Sequence, residues 1–359
     1  MFGSISASLC ALILLPLATY AAPTSVPRAG VTVLTAAQAA AYKPYTLLTR
    51  AGYCPASKTA TWSCGTPCTA LSGFVPFASG GDGVTTPYWY VGYYPAISSV
   101  VVANQGTDAS KFVPILIDGD FILDGFDTAL FPGLPTTLKA HGGFLDAQGR
   151  GAAAKLAAVK KALAAHPGST VTTVGHSLGG AISLLDAVYL KRQISGIKLK
   201  VVTYGQPRVG NSAFASWVDT NLSDVSRITN EKDIVPIVPG RGLGFAHSSG
   251  EKHILAPGSW VACTGQDNTD EKCTTGAVSN ILVGDIGDHG GPYEGISVDH
   301  LLLFGFPELS VKEANSEEDF YRELSGQRSS ELSLLRLFLR LTVIYAFMRQ
   351  QNSHFELFS

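Results

Sequence analysis

The segment Gly175-His176-Ser177-Leu178-Gly179 sets a serine between two glycines, each two positions away. A serine hydroxyl is a weak nucleophile at neutral pH, and it gains power when an imidazole accepts its proton and a carboxylate orients that imidazole. The chemistry open to this segment is therefore acyl transfer, in which the Ser177 oxygen attacks a carbonyl carbon and water later releases the acyl group. The glycines fit a sharp strand-to-helix turn, where side chains at the flanking positions have no room and the hydroxyl stands clear of a sheet. On such a turn the backbone N–H of Leu178 can meet the oxyanion that forms during attack. His176 reads as a packing residue whose ring points away from the serine.

The partners of such a serine follow along the chain in the order acid, then histidine. Asp233, in Thr229-Asn230-Glu231-Lys232-Asp233-Ile234-Val235-Pro236, directly follows a strand-like segment and so belongs at the sheet edge where Ser177 emerges. The nearby carboxylates of Glu231 and Asp224 read as solvated surface charges. Two phrases offer the histidine: Asp288-His289-Gly290-Gly291-Pro292-Tyr293-Glu294-Gly295 and Asp299-His300-Leu301-Leu302-Leu303-Phe304-Gly305.

The elements that must hold these residues alternate. Tyr88 to Tyr94 and Ser98 to Ala103 are rich in β-branched and aromatic residues and predict core strands. After them, Ala152 to Ala165 predicts a helix, Thr170 to Val174 a strand, Leu178 to Lys191 a helix and Lys198 to Tyr204 a strand, with Asn211 to Thr220 helical and Ser226 to Thr229 extended. Such alternation predicts a mainly parallel sheet flanked by helices, and it places Ser177 between a strand and a helix. Near the start, the Ala-rich, apolar-periodic stretch Thr32 to Leu48 predicts one further helix.

With 359 residues, 46% of them hydrophobic, and a net charge of −2, the chain has material for a sizeable core and no basic patch suited to nucleic acid. Leu9 to Leu17 form an apolar run, broken by Cys10 and Pro16, that ends in the small-residue stretch Ala18 to Ala22. It is too short to span a bilayer and reads as a signal peptide cleaved after Ala21, which implies secretion. Among the cysteines left after cleavage, Cys64 with Cys68 and Cys263 with Cys273 form natural local disulfides, leaving Cys54 single. The chain ends in a Glu- and Ser-rich stretch, Lys312 to Ser330, and an apolar run, Leu332 to Met348, that Arg336 and Arg340 interrupt and make a poor membrane span.

Three phrases in order, Gly175 to Gly180, Tyr204-Gly205-Gln206-Pro207-Arg208-Val209-Gly210-Asn211 and Asn230 to Pro236, resemble the fungal class 3 lipases. That family includes triacylglycerol lipases, mono- and diacylglycerol lipases and feruloyl esterases. The resemblance runs from about Thr32 to Gly295, and Gln105-Gly106-Thr107 and Leu130-Phe131-Pro132-Gly133 look most like basidiomycete members. It implies an α/β-hydrolase fold in one domain over residues 22–298, following a signal peptide over residues 1–21. It also implies a secreted serine hydrolase of carboxylic esters, acting as a monomer on acylglycerols at a lipid–water interface, without metal or organic cofactor. Feruloyl esterase activity, or an inactive binding homologue, are the alternatives within and outside that activity.

Carried onto these residues, the resemblance makes Ser177, Asp233 and His289 the catalytic set. Ser177 to Asp233 and Asp233 to His289 are both 56 residues, the two nearly equal intervals that the family shows, whereas His300 would require 67. His300 stands as the alternative. The family's Gly-Thr or Gly-Ser position falls on Gly106-Thr107, so Thr107 joins Leu178 in the oxyanion hole, although Asn104-Gln105 departs from the aromatic-Arg pair common just before it. Asp108 to Ile117 follows where these lipases carry a mobile lid. Similar members pair their early cysteine with one near the C-terminus, and the lack of such a partner for Cys54 suggests that residues 299–359 arise from a misread gene end.

Overall fold

Six consecutive residues, Ser99–Asn104, are all buried, so the strand they form must be covered on both faces. Alternate side chains do the work: Val100 and Val102 join one apolar cluster, Val101 and Ala103 another. The computed structural model describes residues 30–107 and 122–298. The expected signal peptide, the expected lid, His300 and the C-terminal stretch lie outside the described residues.

Thirteen strands are described: β1 (Val31–Val33), β2 (Val75–Gly80), β3 (Trp89–Tyr94), β4 (Ser99–Asn104), β5 (Leu123–Gly125), β6 (Lys139–His141), β7 (Thr170–His176), β8 (Leu199–Tyr204), β9 (Gly210–Asn211), β10 (Val225–Asn230), β11 (Phe245–Ala246), β12 (Glu251–Ala256) and β13 (Ser259–Cys263). Nine form one sheet in the order β1-β13-β12-β10-β8-β7-β4-β3-β2. Its centre, β12-β10-β8-β7-β4, is parallel, and antiparallel strands close both edges. A smaller sheet, β11-β9-β6-β5, sits apart from it in pairing.

The helices Gly142–Ala165 and Leu178–Gln193 cover one face, with Ala152, Val159, Ala162, Ala181, Leu184 and Val188 packed against Val100 and Val102. The other face is covered by the helix Lys43–Ala51, through Leu48 and Ala51, together with Tyr293 and Val298 from beyond the last strand. Burying each of these Val and Leu side chains contributes roughly 1.5–3 kcal/mol. Between the helices a polar network is sealed in: Lys155 Nζ lies 2.5 Å from Asp186 Oδ2 and donates to Asn104 Oδ1 at 3.1 Å, and Asn104 Nδ2 donates to Asp186 at 2.9 Å and to Ser183 Oγ at 3.0 Å. It ties the end of β4 to both helices.

The stretch Thr32 to Leu48, expected as one helix, is instead a strand and two helices, Ala36–Ala40 and Lys43–Ala51. Val31–Val33 pairs with Cys263–Val261 at the sheet edge, so tertiary pairing overrides the Ala-rich pattern there. Thr35 and Gln38 then form a capping box that starts the first helix, and Pro44 lies in the first turn of the second. Cys64–Cys68 and Cys263–Cys273 are disulfide-bonded, and Cys54 is a buried free thiol that burial pushes up to about 11.

Candidate active site

Ser177 is the last residue before the helix Leu178–Gln193 and directly follows β7, with φ 58° and ψ −130°. A non-glycine residue with positive φ is strained, and here the surroundings impose it. The Ser177 N–H donates to the carbonyl of Tyr204 at 2.9 Å, which fastens the turn to the end of β8. The flanking glycines are sterically required: a Cβ at Gly175 would collide with the carbonyl of Gly179, and one at Gly179 with the carbonyl of Asn104. Leu178, as the first helical residue, points its N–H out of the helix start.

Register brings the next parts together. Asn104 pairs with Gly175, so the loop after β4 begins beside the elbow. Gln105 prolongs the β3 pairing, its N–H donating to Tyr88 O at 2.8 Å and its Oε1 accepting from Tyr88 N–H at 2.7 Å. A Cβ at Gly106 would collide with the carbonyl of His176, so the backbone there lies against the residue preceding the serine. Thr107, half-buried, comes next in the chain.

Asp233 follows β10, two strands from β7, and is fully buried. Its Oδ1 accepts from the Val235 N–H at 2.9 Å, and its Oδ2 lies 2.9 Å from Nδ1 of the equally buried His289. With Nδ1 as the donor to that carboxylate, the other ring nitrogen carries a free lone pair. His289 Nε2 and Ser177 Oγ are both buried and, among the described residues, have no hydrogen-bond partner.

The turn bearing His289, Gly287–Gly290, is anchored to the end of β10. Asn230 Nδ2 donates to the carbonyl of Asp288 and the Lys232 N–H to its carboxylate, each at 2.9 Å, while the Asp285 N–H donates to Lys232 O at 2.7 Å. Burial raises the carboxyls of Asp288 and Glu231 above the ordinary range. The carboxylate bonded to His289 is that of Asp233 and not Glu231, and Asp224 pairs with Lys200 at 3.0 Å on the surface. Gly205, with φ 51°, sits where a Cβ would come within 2.8 Å of His289 Nδ1 and 3.0 Å of Asp233 Oδ2.

Two other features do not converge on this site. A cavity of about 740 Å³ beside the helix Gly142–Ala165 is lined by Asp124, Asp127, Phe131 and Asp146 and contains none of the three residues. Glu251, Cys263 and Cys273 cluster, but both sulfurs are in a disulfide and Glu251 accepts from the Thr274 N–H at 2.7 Å, which leaves no metal-binding set there. Among the described residues, no helix is long and apolar enough to cross a membrane.

Residues 101–243 match the family model described as lipase (class 3). The lipase of Rhizomucor miehei is 36% identical over 172 residues, 46% of this chain and 43% of that protein. A secreted mono- and diacylglycerol lipase of Malassezia globosa is 32% identical over 205 residues, 56% of this chain and 66% of that one. The solved triacylglyceride lipase of Rhizomucor miehei superposes with a TM-score of 0.65 at 27% identity, covering 75% of this chain and 98% of that structure. The chain belongs to the class 3 lipase family. It spans under half the length of the first curated relatives that it matches.

The sheet and its covering helices form the α/β-hydrolase fold. Sequence reading missed the residues that surround His289. His176 is not mere packing: its ring is hydrogen-bonded at both nitrogens, to Tyr53 Oη at 2.6 Å and to the carbonyl of His289 at 2.7 Å. Tyr293 Oη donates to that same carbonyl at 2.9 Å. The tyrosine four residues after His289 was a visible signal, whereas nothing in the sequence links residues 53 and 176.

Proposed function

We propose that the chain is a secreted serine hydrolase of carboxylic esters whose substrates are acylglycerols. The observation that carries this reading is the buried Asp233–His289 pair, which leaves His289 Nε2 and Ser177 Oγ as unpartnered polar atoms in one buried site. In the first half-reaction Ser177 Oγ attacks the ester carbonyl, its proton passes to His289 Nε2, and that proton then goes to the departing alcohol. The acyl-enzyme remains. In the second half, water gives a proton to His289, attacks the acyl carbon, and frees the acid while Ser177 regains its proton.

Asp233 holds the Nδ1–H tautomer and stabilises the imidazolium. The N–H groups of Leu178 and Thr107 meet the oxyanion, the first at a helix N-terminus and the second on the loop lying against the elbow. The working unit is residues 22–298, acting as a monomer at a lipid–water surface once residues 1–21 are removed. Relatives named as secreted mono- and diacylglycerol lipases support both the substrate class and the export.

The test sets emulsified triolein, emulsified diolein and methyl ferulate side by side, with Ser177→Ala as control. Fatty-acid release from the glycerides, abolished in the variant, is the expected result. Turnover confined to methyl ferulate would replace the substrate class, and a fully active Ser177→Ala protein would refute the mechanism.

A further inference from the structure

We propose that His176 and Tyr53 are positioning residues for His289, forming a buried hydrogen-bond chain that fixes the main chain of the base. A carbonyl oxygen can only accept, so His176 Nε2, 2.7 Å from His289 O, must be the donor. In a neutral ring the other nitrogen then accepts, and Tyr53 Oη, 2.6 Å from Nδ1, must donate to it. Tyr293 supplies a second donor at 2.9 Å, which fills both lone pairs of that carbonyl. Tyr53, His176, His289 and Tyr293 are all at most 2% exposed, so no water competes for these bonds.

Packing alone does not call for this polarity, since an apolar ring would fill the same volume. The ring also has to stay uncharged. Its centre is 4.3 Å from that of His289, and a cation there would oppose the imidazolium that His289 becomes during turnover. Burial, and the neighbouring His289, hold the His176 pKa well below the ordinary range, so the ring donates without carrying charge. The neighbour of the nucleophile thus couples the elbow to the separate segment that bears the base. The side chain of His289 answers to Asp233, and its carbonyl to residues 176 and 293.

This inference rests on the triad proposed above, and its test separates the two. His176→Phe, His176→Gln, Tyr53→Phe and Ser177→Ala are compared in the full chain, using soluble p-nitrophenyl butyrate and thermal unfolding. His176→Phe should lower kcat about 10- to 100-fold with KM unchanged, the cost of a base displaced by a fraction of an ångström to an ångström. Glutamine, whose amide nitrogen can take the place of Nε2, should recover most of that loss, and Tyr53→Phe should lower kcat several-fold. Wild-type kcat in a folded His176→Phe or, should that variant fail to fold, wild-type kcat in Tyr53→Phe would overturn the positioning role. Activity surviving in Ser177→Ala would instead overturn the triad itself.

Discussion

Replacing Asp233 by asparagine changes one oxygen to an NH₂ group and leaves the side-chain shape intact. The amide oxygen can keep the bond from the Val235 N–H, measured at 2.9 Å, which turns the NH₂ group towards His289 Nδ1. A donor then faces a donor, so His289 must shift its proton to Nε2, the position that should accept from Ser177. The site is fully buried at Asp233, so no water relieves the mismatch. A wrong-tautomer base costs about 10⁴-fold in kcat, or roughly 5 kcal/mol of transition-state stabilisation. Initial rates on p-nitrophenyl butyrate, with active sites counted by a phosphonate titrant, measure the effect. A folded Asp233→Asn enzyme retaining more than a tenth of wild-type kcat would refute the tautomer argument and return the role of acid to another carboxylate.

Gly205→Ala should be nearly inactive, with kcat down about 100-fold, because its methyl group enters the space of His289 and Asp233; a rate assay beside a melting curve checks it. Asp186→Ala leaves the Lys155 ammonium buried without its partner and should cost about 3–5 kcal/mol in urea unfolding. His253 is held neutral by burial, its pKa lowered to about 4, with hydroxyls of Thr229 and Thr274 at 2.9 and 3.0 Å from Nδ1. The unfolded chain binds that proton below about pH 6.5 and the folded chain only below about 4. Stability should therefore fall by about 3 kcal/mol as pH drops through that window, and His253→Asn should flatten this part of the urea-midpoint profile between pH 7 and 4.

The elbow was legible because its geometry needs glycine at two positions whose neighbours are backbone carbonyls, and no other residue type leaves that signature. Asp233 was legible because a strand ends just before it. Strand β12 was not, since Glu251, Lys252 and His253 look like surface residues, yet Glu251 is buried beside Arg227 and His253 beside two threonine hydroxyls. Strand β1 was hidden by the alanines after it, because its pairing partner lies over two hundred residues away. A separation of 123 residues likewise concealed the bond between Tyr53 and His176. Long-range polar pairing leaves no local periodicity to read.

The site is assembled from parts of unequal firmness. Ser177 and the loop after β4 grow from adjacent central strands, whereas His289 rides on a turn beyond the last strand, in a stretch where Leu282, Val283 and Ile286 are exposed. Hydrogen bonds to the end of β10, to Asp233, to His176 and from Tyr293 hold it in place. Local opening of such a segment needs far less free energy than global unfolding, so it forms its own exchange unit. In rising urea, esterase activity should vanish while the sheet is intact, and amide hydrogens around residues 285–291 should exchange ahead of those in β7. On the proposed triad, working lifetime would then follow the tether of His289 and not the stability of the core.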